Sequence, residues 1–323
     1  MNDRAVSLLE QYELEVMHTR KGRGAILCET DRGLLIFKEY GGSPEHLGVQ
    51  DALLKKLSES GRVEAESLIP TKEGELYVKD NDGVRYILKT YRDGRECNIR
   101  ERAECLEAMN VLARLHFCTQ EGLPETDIPA FSMEREYEKR NRELKKIRKY
   151  LRGRSQKTWF EIALLGCFDQ FYDQALEAQE GWESYHRASE DGNATSLCHG
   201  DYQYHNLILD QKNWFLINFE RCVKDDPVRD LHLILRKLLE KTDWNISFGE
   251  ELLKAYENYR PLPAISRIDL YYRLSYPEKF WKIANFYYNS GKAWIPGRNM
   301  EKLDKLLGQE EMKREFLDKI FQC

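Results

Sequence analysis

Cys198-His199-Gly200-Asp201-Tyr202-Gln203-Tyr204-His205-Asn206 is the stretch on which the reading of this 323-residue chain turns. Short apolar runs flank it: Ala194 to Leu197 before, and Leu207-Ile208-Leu209 facing Trp214-Phe215-Leu216-Ile217 after. That spacing predicts a loop between short strands. Transfer of a phosphoryl group from a nucleoside triphosphate needs a carboxylate to orient the acceptor hydroxyl and oxygen ligands for a bridging metal ion. A loop Asp with an Asn five positions later supplies both, and Asp201 and Asn206 have that spacing. A second carboxylate normally follows on the next strand, where this chain has Leu216-Ile217-Asn218-Phe219-Glu220. Asp226-Pro227-Val228-Arg229-Asp230-Leu231 comes next.

Upstream, the first ~90 residues have the cadence of an antiparallel meander. Glu13 to His18 and Ala25 to Thr30 flank a Gly-containing turn, and Gly33 to Tyr40 follows Asp31-Arg32. A helix with Leu47, Gln50, Leu53, Leu54 and Leu57 at i, i+3, i+4 spacing comes next. Glu75 to Lys79 and Arg85 to Lys89 add two strands across the turn Asp80-Asn81-Asp82-Gly83. Beyond Tyr91 the pattern is helical: Arg100 to Phe117, Glu134 to Arg152, Phe160 to Glu180, and Val228 onward with breaks at Pro261, Pro263, Pro277 and Pro296. The length exceeds that at which one core stops growing, so two bodies are expected. The expected class is α+β, with a β-rich N-lobe at 1–91, a hinge at 92–96 and a mainly helical C-lobe at 97–323 holding the catalytic-loop region 194–231.

The ordered set of His-Gly-Asp with Asn, a strand, then Asp-Pro-x-x-Asp-Leu resembles the aminoglycoside phosphotransferase and choline kinase superfamily, whose fold is two-lobed and protein-kinase-like. The chain is more similar still to CotS-type spore-coat proteins. That similarity rests on Cys198 to Asn206, Pro227 to Leu231, Pro70-Thr71-x-x-Gly74-Glu75-Leu76-Tyr77-Val78, Tyr276 to Lys282, Asn285 to Tyr288 and Lys292-Ala293-Trp294-Ile295-Pro296, and so covers almost the whole length. The resemblance implies Asp201 as the catalytic carboxylate, Asn206 as a metal ligand and Lys38 as the lysine that meets ATP phosphates. Gly22 and Gly24 fall at the phosphate-covering loop, and Asp230 as a brace of the catalytic loop. It implies ATP with Mg²⁺ as cofactor, and synthesis in the cytoplasm followed by incorporation in the spore coat. The implied partners are other coat proteins or a small hydroxylated or saccharide acceptor.

Two positions depart from that pattern. Asn218 stands where active relatives carry a metal-binding Asp. Mg²⁺ prefers anionic oxygen, and a unit charge pair ~4 Å apart is worth about 4 kcal/mol at an effective dielectric near 20, so the metal site is expected to be weakened. Glu220 shares the strand face with Asn218, since i and i+2 point the same way, and is a substitute ligand. Gln50 occupies the helix position where a Glu usually pairs with the strand lysine; its amide is expected to hydrogen-bond Lys38 without the ion pair. Two functions from different classes stay open. One is a degenerate kinase fold acting as a binding or structural coat component. The other is an active ATP-dependent phosphotransferase on a small hydroxylated or saccharide acceptor.

Composition narrows the field without choosing between these. A net charge of -5 points to no nucleic-acid partner, no apolar run approaches the ~18 residues of a membrane span, and the polar start Met1-Asn2-Asp3-Arg4 has no apolar leader core. Eight scattered cysteines without a C-x-x-C pair read as free thiols rather than zinc ligands, with Cys323 a candidate for cross-linking in a coat. His199 reads as a structural part of its loop; a His199, Asp201 and His205 metal trio is the rival. The basic stretch from Lys139 to Arg154 reads as a solvated face because Glu134, Glu136, Glu138 and Glu143 interleave, with a docking surface for an acidic coat partner or anionic polymer as the alternative. The aromatic cluster from Tyr271 to Trp294 reads as core, or as a cage for a quaternary ammonium.

Overall fold

The computed structural model describes residues 3–22, 24–120, 130–188, 196–211, 213–290 and 296–321. Ala194, the Lys292 to Ile295 part of the family motif and Cys323 lie outside them. The chain divides into two compact units. The first comprises Met1–Ala130, Thr195–Ile234 and Leu252–Pro261; the second comprises Phe131–Ala194, Leu235–Glu251 and Leu262–Cys323.

The first unit opens with a 3-10 helix, Asp3–Gln11. The meander follows as β1 (Val16–Gly22), β2 (Ala25–Thr30) and β3 (Gly33–Glu39), then α1 (Pro44–Ser60), β4 (Glu64–Ala65), β5 (Val78–Lys79), β6 (Arg85–Thr90), β7 (Arg95–Glu96) and α2 (Arg102–Thr119). One sheet has the order β1-β2-β3-β6-β5 with antiparallel neighbours. Alternation decides what each face carries. Ile26, Cys28, Leu35, Phe37, Tyr86 and Leu88 point to one side and form a buried cluster with Leu9 and Tyr12. Ala25, Leu27, Ile36, Lys38 and Lys89 point to the other and line a cavity. The expected strand at Glu75 is shorter than its apolar run, with only Val78 and Lys79 paired to β6.

Helix α1 begins where Ser43 accepts a hydrogen bond from the His46 N–H, with Pro44 in the first turn, and ends at Gly61 in the left-handed conformation. It buries Leu47, Gln50, Leu53, Leu54 and Leu57, the stripe its spacing predicts. Downstream come α3 (Met133–Gly153), α4 (Trp159–Ala188), β8 (Ser196–Cys198), β9 (Leu207–Asp210), β10 (Asn213–Leu216), β11 (Val223–Asp225), α5 (Val228–Leu239) and α6 (Ile246–Glu257). The last helices are α7 (Ala264–Ser275), α8 (Glu278–Asn289) and α9 (Pro296–Phe321). A second sheet of the first unit has the order β4-β10-β9-β7, with β4 parallel to β10; β8 and β11 pair separately.

The second unit is helical. Tyr137, Leu144, Ile147 and Leu151 of α3 pack with Phe160, Leu164, Phe168 and Phe171 of α4, and with Tyr276, Phe280 and Ile283 around α8. Tyr137 stacks on Tyr276 and Phe171 on Phe280. The described part of the C-terminal aromatic cluster therefore includes core residues, Tyr276 and Phe280 among them. Asp269 accepts from the Trp182 indole N–H at 2.7 Å and from Arg273 at 3.0 Å, so these buried polar groups pair with one another.

Candidate functional site

Within the first unit, a cavity of about 480 Å³ is lined by Gly22, Gly24, Ala25, Leu27, Ile36 and Lys38 above, and by His205, Ile208, Ile217 and Asn218 below. Tyr91, Gly94 and Glu96 line it at the chain reversal after β6. A side chain at Gly94 would meet the Leu209 carbonyl oxygen at 2.6 Å, so only glycine lets β9 approach here. Gly24 has φ +72°, the left-handed turn geometry that closes the β1–β2 hairpin over the cavity.

The sequence-predicted residues form a continuous hydrogen-bonded chain. Lys38 Nζ lies 3.5 Å from Asn218 Oδ1. The Asn218 amide Nδ2 donates to Asn206 Oδ1 at 2.9 Å, and Asn206 Nδ2 donates to the Asp201 carbonyl at 2.7 Å. Asn218 has φ 67° and ψ 55°, a left-handed conformation that asparagine tolerates better than most residues. The Asp201 carboxylate accepts from Gln203 Nε2 at 2.8 Å, and the exposed Arg221 stands 3.7 Å away.

Asp230 holds the loop from beneath. Its buried carboxylate accepts from the backbone N–H of His199 at 2.6 Å and of Gly200 at 2.9 Å. His199 Nε2 bonds the Ile217 carbonyl at 3.0 Å while Nδ1 accepts from the Asp201 N–H. Both ring nitrogens are thereby used, and His199, Asp201 and His205 do not converge as a metal trio. Among the described residues the one such cluster is His116, Cys198 and Asp230, fully buried. There His116 hydrogen-bonds Tyr256 and Asp230, and the Cys198 thiol, pushed well up by burial, lies against backbone carbonyls.

The expected hydrogen bond between Gln50 and Lys38 is not formed. Lys38 instead meets Glu220 Oε1 at 3.1 Å, because an ionised carboxylate is a stronger acceptor than an amide. Gln50 is fully buried, and neither its Nε2 nor its Oε1 has a partner among the described residues. An unpaired buried amide costs roughly 1–3 kcal/mol. Gln50→Met, of similar length, is expected to raise stability by about 1 kcal/mol in urea unfolding; a loss of that size would show that the amide is satisfied.

Two residues absent from the sequence reading dominate the electrostatics. Lys89, 1% exposed, places Nζ 2.7 Å from Glu66 Oε2 and 2.6 Å from Glu220 Oε1. Burial alone would lower the Lys89 pKa, but the two carboxylates hold it raised. Burial likewise pushes the Glu220 carboxyl up, while Lys89 and Lys38 draw it down to about 2. The other Glu66 oxygen accepts from the Phe219 N–H at 3.0 Å. The Asn218-Phe219-Glu220 segment is thus fastened to β3, to β6 and to the residue after β4 by charged side chains. The signal for Lys89 was available in the alternation of Ile87 and Lys89 opposite Ile36 and Lys38 across the β3–β6 ladder.

This arrangement does not fit a resident Mg²⁺. The two side chains at the expected ligand positions are neutral amides, with the Asn206 oxygen taken by the Asn218 amide and the Asn218 oxygen facing Lys38, and the expected substitute carboxylate, Glu220, is already ion-paired to two lysines. A hard divalent ion would have to break these contacts and would gain no free anionic oxygen at position 218.

The model of the family described as spore coat putative kinase YutH matches residues 5–320. The chain belongs to this family. Like other comparisons, it agrees with the CotS-type resemblance: spore coat protein S of Bacillus subtilis (strain 168) is 25% identical over 336 residues, covering 97% of this chain and 92% of that protein. The YutH-family chain also has the kinase-like fold. An aminoglycoside phosphotransferase from Alicyclobacillus acidocaldarius subsp. acidocaldarius DSM 446 superposes with TM-score 0.81 at 20% identity, over 100% of this chain and 96% of that one. The spectinomycin phosphotransferase APH(9)-Ia, solved with ADP and spectinomycin, gives TM-score 0.66 at 14% identity over 97% of each chain. Among the described residues of this family member no helix is long and apolar enough to cross a membrane.

Proposed function

We propose that this chain is a degenerate kinase of the spore coat, one that keeps a nucleotide-shaped cavity and serves as a binding or structural component in contact with other coat proteins. The observation that carries this reading is the Asn218–Asn206 amide pair, with Glu220 neutralised by Lys38 and Lys89. In that state the cavity offers lysine ammonium to phosphate but no anionic cradle for the metal that normally accompanies it. A nucleotide would be held by the apolar walls at Leu27, Ile36, Ile208 and Ile217 and by Lys38.

The test is thermal unfolding of the full chain with ATP or a non-hydrolysable analogue, with and without Mg²⁺ or Mn²⁺. A ligand that binds only the folded state raises the melting temperature. The expected result is a shift of equal size with and without metal. A large metal-dependent shift would overturn the reading.

The second reading, an active phosphotransferase on a small hydroxylated or saccharide acceptor, is favoured by the Asp201 carboxylate, which is only partly buried beside Gln203 and Arg221. It requires the metal site to be recoverable. Asn218→Asp replaces a donor amide with an anionic oxygen and frees Asn206 Oδ1. It is expected to tighten Mn²⁺ binding at least tenfold in the presence of the non-hydrolysable analogue, a heavily discounted fraction of the roughly 4 kcal/mol charge term. Isothermal titration measures it, and no gain would mean that the cavity is remodelled beyond a missing ligand.

A further inference from the structure

The exposed face of α3 carries an excess of cations that the second unit does not neutralise. Arg142, Lys145, Lys146, Arg148, Lys149 and Arg152 line a groove of about 500 Å³. Helical periodicity puts Arg142, Lys145, Lys146, Lys149 and Arg152 on one stripe, opposite the buried Leu144, Ile147 and Leu151. Between Glu143 and Glu161 the sequence has seven lysines and arginines and no carboxylate.

Two of the interleaved glutamates, on which a solvated and self-neutralised face depends, are engaged off the stripe. Glu136 pairs with Arg140 at 2.7 Å, and Glu143 accepts from the Trp281 indole at 2.8 Å. Arg148 and Arg152 share Asp169, which leaves Arg142, Lys145, Lys146 and Lys149 with no ion pair among the described residues. Lys146 rests over the Tyr288 ring, and among the described residues Arg142 donates to the Glu138 backbone carbonyl alone. Like charges at i, i+3 and i, i+4 repel. The helix dipole compensates cations only in the last turn, and this stripe starts three turns from the end. A ligand that supplies anions would relieve that repulsion.

We propose that this stripe is a docking site for an extended acidic peptide segment of a partner protein. From Arg142 to Arg152 the stripe runs about 15 Å at 1.5 Å per residue, the length of four or five residues of extended peptide. Acidic side chains on one side of such a peptide recur about every 6.6 Å, close to the 5.4 Å pitch at which the cations recur. A short segment feels the local stripe, since charges beyond about 8 Å are screened at physiological salt. A long polyanion would also meet the rest of a chain whose net charge is -5. The site lies in the second unit and does not depend on how the cavity of the first unit is read.

The experiment uses the full chain and a fluorescein-labelled eight-residue peptide of alternating Glu and Ser, followed by anisotropy. Binding at 50 mM salt is expected to weaken at least tenfold at 300 mM salt. It is expected to weaken by the same factor in the combined variant Arg142→Ser, Lys145→Ser, Lys146→Ser, Lys149→Ser. A control that removes four exposed cations elsewhere, Lys241→Ser, Lys254→Ser, Lys302→Ser and Lys319→Ser, is expected to bind within twofold of the parent. These are surface changes, and the melting temperature of each variant verifies folding. No binding at 50 mM salt, retention of binding by the stripe variant, or equal loss in the control would overturn the proposal. So would tenfold tighter binding of a single-stranded oligonucleotide of equal charge, which would reassign the stripe to nucleic acid.

Discussion

Lys89→Met is expected to cost about 3–5 kcal/mol of folding stability, the range for removing one partner of a buried ion pair. The Lys89 ammonium is 1% exposed and lies within 2.7 Å of both Glu66 and Glu220. Methionine fills most of the same volume, so the loss comes from a buried Glu66 left without its cation and a Glu220 left with Lys38 alone. Urea unfolding gives the number directly. The double variant Lys89→Met, Glu66→Gln should recover part of the loss, because it removes the buried charge that Lys89→Met strands. A loss below about 1 kcal/mol would mean that water reaches the carboxylates and the centre is not closed. The acid limb provides an independent measure. The Glu220 carboxyl is held at about 2, well below its ordinary 4.5. Its stabilising contribution is complete above about pH 5 and is lost as pH falls toward 2, where the unfolded chain takes up the proton first. Without Lys89 the depression shrinks, and stability between pH 5 and 2 should depend less on pH.

Gly200→Ala is expected to be destabilising by about 2–5 kcal/mol, combining a left-handed backbone with overpacking. Gly200 has φ +78°, and a Cβ there would lie 1.8 Å from the Arg221 carbonyl oxygen. The obstacle is backbone, so no rotamer change relieves it. The His199–Asn206 loop and the segment after Asn218 would have to separate, breaking the bonds from Asp230 to the His199 and Gly200 N–H groups. Gly48→Ala is the control: it lies in α1 with open space around it, and alanine there should be neutral or stabilising by up to about 1 kcal/mol. If the two variants unfold alike, the two loops are free to part.

The elements that were legible in the chain are those whose signal is local. The strands β1 to β3 alternate and end in turn residues, and α1 shows its stripe within 17 residues. The Asp201 and Asn206 spacing is five positions long, so the loop announces itself. Glu66 and Lys89 do not. Lys89 shares a strand face with Ile87 but nothing local shows what it meets there, and Glu66 sits in a stretch without periodicity; their connection to Glu220 spans 131 positions from Lys89. Gln50 lies on the buried face its spacing predicts but does not meet Lys38, because the sequence shows that an amide replaces a glutamate and not that another carboxylate takes over its lysine. The stripe on α3 was visible as charge, yet whether its glutamates neutralise it depends on Trp281, 138 positions away.

The ladder from β4 to β10 joins Ala65 to Leu216, and the ladder from β7 to β9 joins Arg95 to Leu209. On a ribosome, a strand waits for its partner. At about 5–20 residues per second, roughly 150 residues of synthesis separate Ala65 from its neighbour by roughly 8–30 s, long compared with the microseconds in which a hairpin such as β1–β2 closes. The nascent chain therefore has time to form its five-stranded sheet while β4 and β7 still have bare edges, and such edges invite pairing with other chains. Glu66 and Lys89 meet early, only 23 positions apart, and wait as a pair for Glu220. The charged centre cannot close until Glu220 has been made, and a delay or error in translation between residues 130 and 220 would strand it half-built.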